Sequence, residues 1–174
     1  MPFGITSSYM RIINMTIRRR PITNSIISFA IAAILFFCGS IFSAEKKVDF
    51  DVLVQISGND LMRYSKNKFT VGAGQKIKLE FKNIGKLPKA AMGHNIVILK
   101  KGTDVLGFCN EALKFPNEDY FPKTKKNEVI ANTKLLGPGE SDIVYFVAPS
   151  KGDYDFVCSF PGHFAMMKGK MIVD

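Results

Sequence analysis

Asp153-Tyr-Asp-Phe-Val-Cys158-Ser-Phe-Pro-Gly-His163-Phe-Ala-Met-Met167-Lys-Gly-Lys-Met-Ile-Val-Asp174 closes the chain. Its first six residues alternate, which in an extended backbone puts Tyr154, Phe156 and Cys158 on one side, facing inward, and Asp153 and Asp155 in water. Phe160-Pro161-Gly162 then opens a tight loop, and Lys168-Gly169 leads into the apolar Met171-Ile172-Val173. The stretch therefore reads as strand, loop and strand, with Cys158 at the end of the first strand.

The same grammar runs upstream. Lys76-Ile-Lys-Leu-Glu-Phe-Lys82 alternates strictly, predicting Ile77, Leu79 and Phe81 on a buried face with the charges in solvent. Val52 to Ile56, Lys68 to Val71, Asn95 to Leu99 and Ser141 to Val147 share the β-branched and aromatic bias. Gly72-Ala-Gly74, Gly137-Pro-Gly139 and Ser150-Lys-Gly-Asp153 supply turns between them. This punctuation predicts an all-β fold, a Greek-key β-sandwich of about seven or eight strands. Val105, Cys109, Ala112 and Leu113 recur at helical spacing instead, predicting one short helix near 104–115 laid against the sandwich.

Cys158, His163 and Met167 lie on one loop, and His94, in Met92-Gly93-His94-Asn95, heads another apolar run at a strand end. A thiolate, two imidazoles and a thioether are the donors of a type 1 copper site. Soft sulfur suits Cu(I), imidazole serves both oxidation states, and the trigonal set with a weak axial Met compromises between their geometries. Structural zinc takes four strong ligands and has no use for a weak thioether. Gly93 has no side chain to obstruct its carbonyl, which is free to approach the metal opposite Met167. Met166 and Met171 compete with Met167 for the thioether role, and in an exported chain Cys158 has an alternative partner in Cys109. The neighbouring His163 and Met167 favour the metal, leaving Cys109 as a buried thiol that shares a helix face with Val105 and Leu113.

The chain has two histidines. With both spent on this centre, none remains for the second, substrate-binding metal site that a copper oxidase or nitrite reductase needs. A copper storage or delivery protein is the alternative, although delivery favours exposed Met or Cys sites over a closed Cys/His/Met loop.

Residues 1–44 contain no acid, carry Arg18-Arg19-Arg20, and continue through the apolar run Ile26 to Phe37 to small residues at Ser43-Ala44. That order predicts an export signal, with 45–174 as one periplasmic domain. Ile26 to Ala44 is close to the roughly 20 residues that cross a bilayer, so an uncleaved membrane anchor is the alternative. Cys38 follows Phe37, too bulky for a lipid-attachment pattern. The segment holds four arginines and no acid, so the formal net charge falls from +9 for the whole chain to +5 beyond it. Those lysines are scattered and Arg63 is the only arginine left, which argues against nucleic-acid binding.

Met92-Gly-His-Asn95, Cys158-x-Phe-Pro-Gly-His163-x-Ala-x-Met167-Lys-Gly and Ile130-Ala-x-Thr-Lys-Leu-x-Gly-x-Gly-Glu140 resemble the azurins, bacterial members of the cupredoxin family of blue copper proteins. Gly58-Asn-Asp60 and Leu87-Pro-Lys89 extend the likeness over roughly 48–174. The resemblance implies a one-electron carrier, not an enzyme, with no small-molecule substrate and transient partners such as a c-type cytochrome or a copper-containing reductase. It implies one copper ion with His94, Cys158 and His163 as equatorial ligands, Met167 as axial ligand and the Gly93 carbonyl as a second axial contact. It further implies that Asn95 braces the ligand loops, that the Asn95 and Phe160 N–H groups point at the sulfur, and that Leu87, Met92, Phe160, Pro161, Gly162 and Met166 form an apolar docking patch around His163, the exposed ligand. This chain departs from the family in lacking cysteines near Val52 and Gln75, in carrying Asn83 and Asn132 where non-ligand histidines are usual, and in having Ile96 after Asn95 with no Trp anywhere.

Overall fold

The computed structural model describes residues 48–174; the export signal or anchor expected at 1–44 lies outside the described residues. Strands β1 (Val52–Asn59), β2 (Arg63–Tyr64), β4 (Lys76–Asn83) and β7 (Ser141–Val147) form one sheet in the order β2-β1-β4-β7. Strands β3 (Lys68–Val71), β5 (Val97–Leu99), β6 (Val129–Asn132), β8 (Gly152–Val157) and β9 (Lys168–Val173) form the other in the order β3-β9-β8-β5-β6. The β1–β4 and β3–β9 pairs are parallel and the remaining ladders antiparallel. The architecture is the expected Greek-key sandwich. It has more strands than alternation revealed because β2 is two residues long and β6 is half-buried throughout.

The inner faces meet where the alternation placed them. Ile77, Leu79 and Phe81 from β4 join Val54 and Ile56 from β1, and oppose Ile98, Tyr154, Phe156 and Met171 from the second sheet. Each fully buried side chain of this size contributes about 1.5–3 kcal/mol. Phe156 stacks against Tyr64 and Phe69 at 5.5 and 5.6 Å between ring centroids.

Strand β5 does not alternate, because both of its faces are covered. Ile98 points into the sandwich, while Val97 and Leu99 pack with Val157 against Phe108 and Cys109 of a helix on the outer face. A strand buried on both sides reads as a continuous apolar run. That helix, the second of two short α-helices among the described residues (α1, Lys89–Met92; α2, Val105–Ala112), falls within the expected 104–115. Its buried stripe, however, is Phe108, Cys109 and Ala112. Leu113 was expected beside Cys109, but it caps the helix and is half exposed because the periodicity ends at Ala112.

Gly169 lies opposite Phe156 in the β8–β9 ladder, where a β-carbon would overlap both the Phe156 ring and the Asn67 carbonyl oxygen. We expect Gly169→Ala to lower stability by about 2–4 kcal/mol, because backbone and a buried ring cannot both withdraw. Urea unfolding should show a lower midpoint at an unchanged slope.

Candidate metal centre

His94 is held at one end of the sandwich by its own backbone. Its N–H donates to the Leu136 carbonyl at 3.1 Å, and the Leu136 N–H donates back at 2.8 Å. Two residues on, the Ile96 N–H donates to Thr133 Oγ1 and the Thr133 N–H to the Ile96 carbonyl, both at 3.0 Å. The imidazole Nε2 sits 3.0 Å from the Asn59 carbonyl at the end of β1, an acceptor, so Nε2 carries the proton. That leaves Nδ1 deprotonated, fully buried and without a hydrogen-bond partner.

Cys158 follows directly on β8, and the loop after it is closed by its own backbone. His163 N–H donates to Phe160 O, Met166 and Met167 N–H both donate to His163 O, and Cys158 N–H donates to Met167 O, at 2.8–3.0 Å. Gly162 takes φ +79°, a left-handed turn that an L side chain resists, and this reverses the chain so that His163 Nδ1 comes 3.7 Å from Cys158 Sγ. The donor atoms of His94, Cys158 and His163 all lie within 4.8 Å of one another, and all three residues are buried. Met167 is fully buried in the same cluster as Cys158. A β-carbon on Gly58 would come within 3.1 Å of Met167 Cε and 3.2 Å of His94 Cδ2, so these two side chains meet over a glycine. Of the competing methionines, Met166 is exposed and Met171 belongs to the sandwich core.

Burial pushes the Cys158 thiol up to about 11, opposed by the Asn95 and Phe160 N–H groups directed at the sulfur. Burial also lowers His163 to about 4, with the facing His94 pressing the same way. Burial lowers His94 too, partly offset by the Asn59 carbonyl. Neutral imidazoles and a thiol converging on one dry point, with an orphaned nitrogen, are costly unless a cation completes them. The donor set fits copper: two imidazole nitrogens and one sulfur within reach of a single ion, with a thioether beside them.

A family model described as copper-binding proteins of the plastocyanin/azurin family matches residues 50–174. The chain belongs to this family. It is 42% identical to an azurin of Alcaligenes faecalis over 120 residues, covering 67% of this chain and 93% of that protein. It is 43% identical to an azurin of Pseudomonas denitrificans over 122 residues, covering 68% and 94%. Among solved structures, dithionite-reduced auracyanin from Roseiflexus castenholzii superposes with a TM-score of 0.64 at 38% identity, over 72% of this chain and 99% of that one. The protein is thus an azurin-like electron-transfer protein whose cofactor is copper, and His94, Cys158 and His163 fit a single type 1 site.

The geometry adds residues that the sequence motifs left unassigned. Asn95 Nδ2 donates to Ser159 Oγ at 2.8 Å and Asn95 Oδ1 accepts the Ser159 N–H at 2.9 Å, which is how Asn95 braces the two ligand segments. Tyr64 donates its hydroxyl to the Asn95 carbonyl. Asp119 and Tyr120 both adopt positive φ, and the Tyr120 ring packs edge-on against Phe160 at 5.1 Å. Asn83, where the family usually has a histidine, makes fixed amide bonds to the Leu136 carbonyl at 3.0 Å and from the Gly85 N–H at 2.9 Å.

The expected docking residues divide by burial. Leu87, Gly162 and Met166 are exposed, while Met92 and Pro161 are half-buried. Phe160 differs from expectation: it keeps only 7% of its surface, because its ring is wedged between Tyr120 and His163. His163 is likewise less exposed than expected, at 4%, though His94 has 0%. Leu61, 72% exposed in the turn after β1, carried no signal in the sequence.

Both imidazoles titrate below their usual range, so at pH 7 copper uptake should displace about one proton, from Cys158. Calorimetry in buffers of different ionisation enthalpy reads that number. In the metal-free protein the unfolded chain protonates its histidines first, near 6.5. Stability present above that value is therefore lost as pH falls from about 6.5 towards 4, which urea midpoints across the window will record.

Proposed function

We propose that this protein is a periplasmic one-electron carrier, not an enzyme, exchanging electrons with other redox proteins through the His163 end of the sandwich. One observation carries the reading: the chain's two histidines both lie with a donor nitrogen within 4.8 Å of the Cys158 sulfur, and all three residues are buried. His94, Cys158 and His163 would hold the ion as its strong ligands and Met167 would supply a weak thioether. The Gly93 carbonyl would add a further weak contact to the ion. A side chain at Gly93 would collide with the Lys89 carbonyl and with Leu135, so the backbone there packs as only glycine allows.

Copper, when bound, supplies a one-electron couple with small geometric change between its oxidation states. The protein supplies rigidity. Asn59 fixes the His94 tautomer, the Asn95–Ser159 pair locks both ligand segments, and the Asn95 and Phe160 N–H groups stabilise negative charge on the sulfur. Burial excludes water and exchangeable ligands, which favours retention over delivery of the metal. Between the two imidazoles, only His163 keeps an edge towards solvent, so it is the electron port.

Partners such as a c-type cytochrome or a copper-containing reductase dock briefly on the surrounding apolar residues, as small redox interfaces do. No histidine is left to build a second, substrate-binding metal site. The export signal expected at 1–44 supports the periplasmic assignment. Among the described residues no helix is long and apolar enough to cross a membrane.

Loading the purified protein with Cu(II) should produce an intense blue thiolate-to-copper band with narrow EPR hyperfine splitting. Cys158→Ser should abolish it. Met167→Leu should keep the blue colour and raise the reduction potential, since removing a donor weakens the hold on Cu(II), whereas Met166→Leu should change neither. A blue Cys158→Ser protein, or a colourless wild type, would defeat the reading.

A further inference from the structure

At the metal-bearing end, three exposed apolar residues each lie within two positions of a cation in the chain. Leu61 is two residues from Arg63, Met166 two from Lys168, and Leu87 adjoins Lys86. Among the described residues none of these three cations has an ion-pair partner, whereas nearby Lys89 pairs with Asp119. The acid closest in sequence, Asp60, is engaged elsewhere: its carboxylate accepts the N–H groups of Lys86 and Leu87 at 2.8 and 3.4 Å. Arg63 and Lys168 converge with Tyr64, Asn67 and Met166 on a cleft of about 290 Å³. Two of its lining residues are linked to the metal centre: Lys168 follows Met167, and Asn59, the register partner of Arg63, bonds to His94.

We propose that this cleft receives a carboxylate side chain from the rim of the redox partner, so that the partner is recognised by an acidic residue flanking its own apolar contact. The inference rests on the electron-carrier reading. A guanidinium fork and an ammonium group lining one cleft match a carboxylate in charge and shape, and the Asn67 amide adds a further polar group. Exposed cations contribute little affinity. They speed and orient encounter, which suits a complex that must part after one electron. The apolar residues then exclude water, while the cleft fixes which way the partner lies on the patch.

The test is an amide chemical-shift titration of the reduced, copper-loaded ¹⁵N-labelled protein with hexaglutamate at low salt. Shifts should cluster at Arg63, Tyr64, Asn67 and Met166 to Lys168, and fade by about 0.2 M salt. Hexalysine should leave these amides unmoved. Arg63→Glu and Lys168→Glu should each weaken binding about three- to tenfold. Lys101→Glu makes the same charge change on the turn beyond the far end of β5, and should weaken it less than about twofold. Oxidation of the reduced protein by hexacyanoferrate(III) should slow in Arg63→Glu, and oxidation by tris(1,10-phenanthroline)cobalt(III) should quicken.

Shifts spread evenly over all lysines, or a Lys101→Glu effect equal to that of Arg63→Glu, would overturn the cleft in favour of general charge attraction. Absence of the blue band in the oxidised wild type would instead defeat the electron-carrier reading. The two failures are therefore told apart.

Discussion

Everything at the metal end depends on one pair of hydrogen bonds, between the Asn95 side chain and Ser159. His94 and Cys158 belong to segments far apart in sequence, and backbone ladders alone leave their loops free to separate at the sandwich rim. The amide closes that gap with a donor and an acceptor at once, both buried, where each unmade bond costs about 1–3 kcal/mol. The Tyr64 hydroxyl donates to the Asn95 carbonyl, so the brace is itself braced. With both segments immobile, the two imidazoles and the sulfur keep their spacing whatever the charge at the centre.

Legibility in the sequence followed the range of the interaction. Alternation gave the inner faces of β4 and β8 because those strands have one dry side, and it was silent on β5, which has two. Cys158, His163 and Met167 were legible as a set because a single loop carries them. Ser159 as the partner of Asn95, Tyr64 as the donor to the Asn95 carbonyl, and Asn59 as the acceptor for His94 were not. These contacts span 64, 31 and 35 residues and use residue types that serve many other purposes. The helix stripe differs from the expected one at two places: Phe108 is buried although the expected set of Val105, Cys109, Ala112 and Leu113 left it out, and Leu113 is not, because nothing in the periodicity marks where α2 stops.

Exposure, too, resisted sequence reading. Phe160 is apolar and loop-borne, features shared by residues that land partners and residues that wall a site. Its ring contacts with Tyr120 and His163 put it in the wall. Leu61, in contrast, stands out in solvent because Met62 takes a positive φ and its backbone bonds back to Asn59. The surface that a partner meets is thus set by turn geometry more than by hydrophobicity.

The position of Cys109 has a consequence for assembly. Two cysteines in one domain can cross-link before the metal arrives wherever the surroundings are oxidising. Here Cys109 is sealed behind β5 and β8 among Val97, Leu99 and Phe108, and burial pushes its thiol up to about 12. It stays protonated and shielded from oxidants, so it neither captures the Cys158 sulfur nor competes for the incoming ion. The apolar outer face of the second sheet thereby keeps the two thiols in separate clusters.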